Sequence, residues 1–159
     1  MSKLFASWVP GYAAVAQTMG GTTLNWEGKD YTDVNGFREG WGATFFLKGG
    51  TSDWFHFPLP TPVIVEDQRA SLSRVMILFA LPEGAGLKSV HVWDGPNRIL
   101  QRDGLEITGD HAHGLDAENI FDVKHDGIRW GVGISLLISC VADSNVYFAS
   151  AGGDFRHNI

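Results

Sequence analysis

Every second residue from Ile128 to Cys140 is apolar, and that run restricts the possible folds more than any other feature of the chain. Side chains alternate across an extended strand. Ile128, Trp130, Val132, Ile134, Leu136, Ile138 and Cys140 therefore fall on one side, with Arg129, Gly131, Gly133, Ser135, Leu137 and Ser139 on the other. The first set is predicted to be core. A second run, 72–80, opposes Val75, Ile77 and Phe79 to Arg74, Met76 and Leu78. It is apolar on both sides toward its end, as in a strand covered on both faces.

Further strands are predicted over 4–9, 13–18, 22–26, 42–47, 53–57, 61–65, 87–93, 98–102, 120–123 and 145–151. Turn chemistry separates them at Lys48-Gly49-Gly50-Thr51, Pro82-Glu83-Gly84-Ala85-Gly86 and Asp94-Gly95-Pro96-Asn97. Pro58, Pro60 and Pro62 alternate, which makes that stretch extended but poor at pairing, an edge crossing. No window carries a helical period, and 20 glycines punctuate the chain. The expected fold is all-β, a two-sheet antiparallel sandwich of jelly-roll type forming a single domain over 1–159, with a closed barrel as the alternative.

Charge and composition remove several function classes. With 44% hydrophobic residues the chain is too apolar to be disordered, and its net charge of −6, without any basic run, opposes nucleic-acid binding. No apolar stretch has the length of a membrane span, so no membrane partner is expected. The start, Lys3 then Leu4-Phe5-Ala6-Ser7-Trp8-Val9 with Ala14-Val15-Ala16 beyond, has some look of a secretory leader. Pro10-Gly11-Tyr12 interrupts its apolar part, and the expected compartment is the cytoplasm. Cys140 is the only cysteine; it keeps phase with apolar neighbours and reads as a small buried hydrophobe.

Three segments carry groups with chemistry. In 54–63, Trp54 and His56 share one strand face and Phe55 and Phe57 the other. In 89–95, Val90 and Val92 point inward, which puts His91 and Trp93 together outside with Asp94 at the strand end, placed to orient an imidazole. An indole beside an imidazole can stack on a flat ligand while the ring nitrogen hydrogen-bonds or moves a proton. The plainer alternative for both pairs is an exposed sheet face or a subunit contact. The third segment, 109–119, carries Asp110, His111, His113, Asp116 and Glu118. Asp110, His111 and His113 are weak metal-ligand candidates; their spacing matches neither a calcium loop of the Asp-x-Asp-x-Asp-Gly kind nor a zincin helix, so a solvated acidic loop and no bound metal are expected. There is no Gly-x-Ser-x-Gly elbow and no phosphate loop, and no cofactor is expected.

Several of these segments in order resemble a family of small bacterial and fungal proteins known only as a domain of unknown function. They are Trp8-Val9-Pro10-Gly11, Gly40-Trp41-Gly42-Ala43-Thr44-Phe45, Trp54-Phe55-His56 through Pro60-Thr61-Pro62-Val63, Val90-His91-Val92-Trp93-Asp94-Gly95 and Gly109-Asp110-His111. Pro10 stands where that family often carries a His. The resemblance implies no activity. The leading expectation is a ligand-binding or assembly module presenting Trp54, His56, His91, Trp93 and Asp94 to a carbohydrate, another small molecule or copies of itself, with a homo-oligomer expected. The alternatives are a small lyase, isomerase or cyclase in which His56, His91 and Asp94 carry acid–base chemistry, and a structural subunit of a larger assembly.

Overall fold

Alternation along the chain resolves into two main antiparallel sheets packed face to face, with two further two-stranded pairs, in a computed structural model that describes residues 1–17, 24–26, 29–31 and 37–158. The elements run β1 (Ser2–Pro10), a 3-10 turn (Gly11–Ala13), β2 (Val15–Ala16), β3 (Leu24–Trp26), β4 (Lys29–Tyr31), β5 (Phe37–Glu39), β6 (Gly42–Leu47), β7 (Ser52–Leu59) and β8 (Ile64–Val65). They continue through β9 (Gln68–Arg69), β10 (Ser71–Leu81), β11 (Ala85–Asp94), β12 (Asn97–Arg102), β13 (Gly109–His111), β14 (Ile120–His125), β15 (Val132–Cys140) and β16 (Ser144–Asn158). No α-helix occurs among the described residues. The predicted ends at 18 and 22–23 lie outside them.

The first sheet is built on β16, which pairs with β10 along one edge and with β1 and β6 along the other; β5 extends β6, and β13 and β14 both pair with β10. The second sheet has the order β12-β11-β15-β7-β2. Aromatic rings join the two. Phe148 of β16 lies 5.2 Å from Phe55 and 5.4 Å from Phe57, both on β7, and Phe45 of β6 lies 4.9 Å from Phe55. Val132, Ile134, Leu136, Ile138 and Cys140 line the same core from β15.

Four expectations need correction. The strand predicted from Ile128 begins only at Val132, because residues 128–131 curl around the Asp94 carboxylate. Ile128 is buried as predicted, but Trp130 is 70% exposed and lies outside the core. The last strand runs seven residues past Ala151, to Asn158, because β1 and β10 both offer it an edge there. Pro58 belongs to β7 itself, paired with Gly133, and the poorly pairing stretch begins only after Leu59.

Of the apolar residues behind the homo-oligomer expectation, Trp54 and Leu78 are partly exposed and the others are covered within the chain. Phe55 and Phe57 are core, and Met76, on the outer side of β10, is only 2% exposed. Its register partner Gly152 faces Trp8 on β1, and a Cβ at Gly152 would sit 2.4 Å from the indole, so glycine alone lets that ring lie against the strand. Burial at the centre of β15 is complete, and truncating Ile134 to Ala is expected to cost about 2–5 kcal/mol. A urea midpoint unchanged by that substitution contradicts the assigned core.

Candidate functional site

Core packing decides which side chains of the second sheet face out. With Phe55 and Phe57 inward on β7, Trp54 and His56 point outward; with Val90 and Val92 inward on β11, so do His91 and Trp93. The strands carrying the two pairs are not neighbours. They flank β15, and the register aligns His91 with Ser135 and Ser135 with His56. One crosswise row thus reads Gln101, His91, Ser135, His56, Val15. Trp54 pairs with Leu137, yet its ring reaches across β15 to lie 4.8 Å from the His91 ring. The two Trp/His pairs predicted separately therefore meet on one face. Trp93 lies further toward the β11–β12 turn beside Gly133, with the Arg98 guanidinium 5.8 Å from its ring centre.

Each imidazole has a defined partner. Ser135 Oγ donates to His56 Nδ1 at 2.7 Å, and His56 Nε2 donates to Gln17 Oε1 at 2.9 Å. An amide oxygen only accepts, so Gln17 fixes the proton on Nε2 and leaves Nδ1 as the acceptor. Burial pushes the His56 pKa down and outweighs the opposing charge of Asp53, so at neutral pH the ring is uncharged and basic at Nδ1. On the other flank His91 Nε2 donates to Asp103 Oδ1 at 2.9 Å, and Gln101 Nε2 to Asp103 Oδ2 at 2.7 Å. Hydrogen bonds from His91, then Gln101 and Ser89, hold the Asp103 carboxyl at about 2. His91 Nδ1 makes no hydrogen bond among the described residues.

Asp94 does not reach this face. It is buried at the end of β11, and its carboxylate accepts the backbone N–H of Arg129 (2.9 Å), Trp130 (2.8 Å) and Gly131 (3.2 Å). Burial works against its charge, but the three amides together hold its pKa below the ordinary carboxylate value. The orienting role expected of Asp94 is filled by Asp103. Asp103, Gln101, Ser135 and Gln17 complete the cluster without having been singled out in sequence. Ser135 and Ser139 were correctly placed on the outward face, but their neighbours depend on strand order.

At the start of β11 and the end of β15 lies a cavity of about 300 Å³, lined by Gly86, Lys88, Glu106, Thr108 and Ser139 and by none of Trp54, His56, His91 or Ser135. Lys88 and Glu106 form an ion pair at its rim, at 2.5 Å. Cys140 also lines it; the thiol is buried and donates to the Lys48 carbonyl at 3.1 Å.

The acidic loop closes on itself. His111 Nδ1 lies 2.7 Å from Asp116 Oδ2 and Nε2 lies 2.9 Å from the Thr108 carbonyl, with Phe79 packed against the ring at 5.1 Å. Asn119, fully buried, bonds the carbonyls of His111 and Gly114 and accepts from Asp116 N. Both nitrogens of His111 are thereby engaged by protein acceptors. His113 reaches only Asp110, at 3.5 Å, and among the described residues no three His, Cys, Asp or Glu side chains converge on a metal position.

A family described as a family of unknown function (DUF6623) matches residues 42–146, and the chain belongs to it. The matched stretch holds Trp54, His56, His91, Trp93, Asp94, Asp103 and Ser135; Gln17 and the Trp8–Gly11 motif fall outside it. No curated protein and no solved structure matches the chain.

His111 generates a pH prediction. Burial disfavours its charge, but the hydrogen bonds to Asp116 and Thr108 and the charges of Asp116 and Glu118 prevail, raising its pKa above 6.5. A folded-state pKa above the unfolded one contributes stability that is complete below the unfolded value and disappears as pH rises through the folded one. The urea midpoint of the native chain should exceed that of His111→Gln most at about pH 5.5, with the gap shrinking toward about pH 8.5. A gap that grows with pH contradicts the assigned pairing.

Proposed function

We propose, from this face and from membership of a family without an assigned activity, that the domain binds a small, neutral, hydroxyl-rich molecule, a sugar ring above all, on the outer side of the second sheet. The observation that carries this reading is the Trp54–His91 contact across β15, which merges two aromatic–imidazole pairs into one surface. An indole offers a flat apolar area to the C–H side of a sugar, while Ser135 and the His91 Nδ1 position offer hydrogen-bonding partners beside it. A neutral His56, the carboxylate of Asp103 and a net charge of −6 make the face a poor host for anions. A second reading, catalysis at the same place, is favoured by the serine–imidazole–amide chain at Ser135, His56 and Gln17.

Titration with a panel of neutral mono- and disaccharides, followed by NMR, tests the binding. At least one sugar should shift the Trp54 indole N–H and the backbone amides of His91 and Ser135, and Trp54→Ala should weaken that sugar by about tenfold or more. No response to any sugar, or a response centred on the exposed Trp41 or Trp130, contradicts the reading.

A further inference from the structure

Ser135 hydrogen-bonds His56 and lies across from His91 in register. We propose that Ser135 is a nucleophile, with His56 as its base and Gln17 as a positioning residue, and that this face transfers acyl groups from small esters to water. The proposal rests on the binding reading for where a substrate lies, and on the relay for its chemistry.

The chain of hydrogen bonds runs in one direction only. Gln17 Oε1 cannot donate, so His56 carries its proton on Nε2, and Nδ1, 2.7 Å from Ser135 Oγ, accepts the hydroxyl proton. That is the order nucleophile, base, orienter, with an amide in the orienting place. Period-two geometry puts Ser135 on the same face as His91, its register partner on the opposite side, so one hydroxyl has an imidazole on each flank. His91 keeps Nε2 on Asp103 and has Nδ1 unengaged among the described residues.

In the first half-reaction Ser135 Oγ adds to the ester carbonyl carbon, its proton passes to His56 Nδ1, and the carbonyl π pair moves to oxygen. Collapse of the adduct returns that pair, breaks the bond to the alcohol oxygen, and delivers the Nδ1 proton to the departing alkoxide. Water then adds to the acyl-serine by the same path. It gives one proton to His56 Nδ1, which returns it to Ser135 Oγ as the carboxylic acid leaves. No oxidant, reductant or metal enters the balance. Ser135 itself is 5% exposed and the Trp54 ring crosses β15 beside it, so the substrates are small or flat esters able to lie along that indole.

The intact chain is treated with a fluorophosphonate probe, and adducts are located by intact mass and peptide mapping. The expected result is a single adduct on Ser135, absent in Ser135→Ala. Its rate should fall with acidification through the His56 titration, below the ordinary 6.5. His56→Gln, whose fold is checked by circular dichroism, should label about a hundredfold more slowly. No adduct, an adduct on another residue, or equal Ser135 labelling in His56→Gln overturns the proposal. Saccharide-induced shifts at Trp54 without labelling overturn the nucleophile and leave the binding face standing. Labelling without any saccharide response supports the nucleophile and removes the sugar reading.

Discussion

Phe148 is where the two sheets are joined, and the rest of the structure depends on that contact. Its ring packs on Phe55 and Phe57 from one strand of the opposite sheet and on Phe45 from its own. Burying a phenylalanine is worth about 1.5–3 kcal/mol, and each aromatic pair adds about 0.5–1.5 kcal/mol beyond area. These rings also dictate orientation. A strand that commits Phe55 and Phe57 to the core must turn Trp54 and His56 outward. The orientation of the candidate face is therefore a consequence of the core: a one-residue slip of β7 would bury the imidazole and expose two phenylalanines.

The carboxylates divide their work by environment. Asp94 is buried and engaged by three backbone amides, which lets the chain turn through Arg129, Trp130 and Gly131 before β15 begins. Its role is structural, because removing it would leave three donors unpaired. Asp103 sits at the surface and spends its two oxygens on His91 and Gln101, so it orients an imidazole whose other nitrogen stays available. Asp116 does for the 109–119 loop what Asp94 does for the 128–131 turn, by accepting backbone and histidine protons at once. Of the three, only the Asp103 pair borders the cluster around Ser135.

Local periodicity made much of this legible. Alternation placed Ile134, Leu136 and Ile138 inside and Ser135 outside, and it paired Trp54 with His56 and His91 with Trp93 on common faces. The assembly of those faces was not legible, because β15 inserts between β7 and β11 and no local signal encodes that order. A bulge between Val92 and Trp93 shifts the register of β11 against β12, which hides Asp103 as the partner of His91. Trp130 misled for a specific reason. It keeps the apolar phase of a strand, but its backbone N–H is captured by Asp94, and that capture overrides alternation. The Asp-Gly dipeptide at 94–95 correctly signalled a hairpin turn, and the same signal gave Asp94 an orienting role that its burial denies it.

His56, Ser135 and Gln17 form one directed hydrogen-bond chain on a face shared with Trp54 and His91. Nitrogen NMR of the His56 imidazole measures it most directly, because the two ring nitrogens report separately which carries the proton. The ring should be uncharged at neutral pH and protonated at Nε2, with an Nδ1 signal that moves when Ser135 is replaced by Ala and an Nε2 signal that moves when Gln17 is replaced. A ring protonated at Nδ1, a charged ring at neutral pH, or an Nδ1 signal indifferent to Ser135→Ala would contradict it.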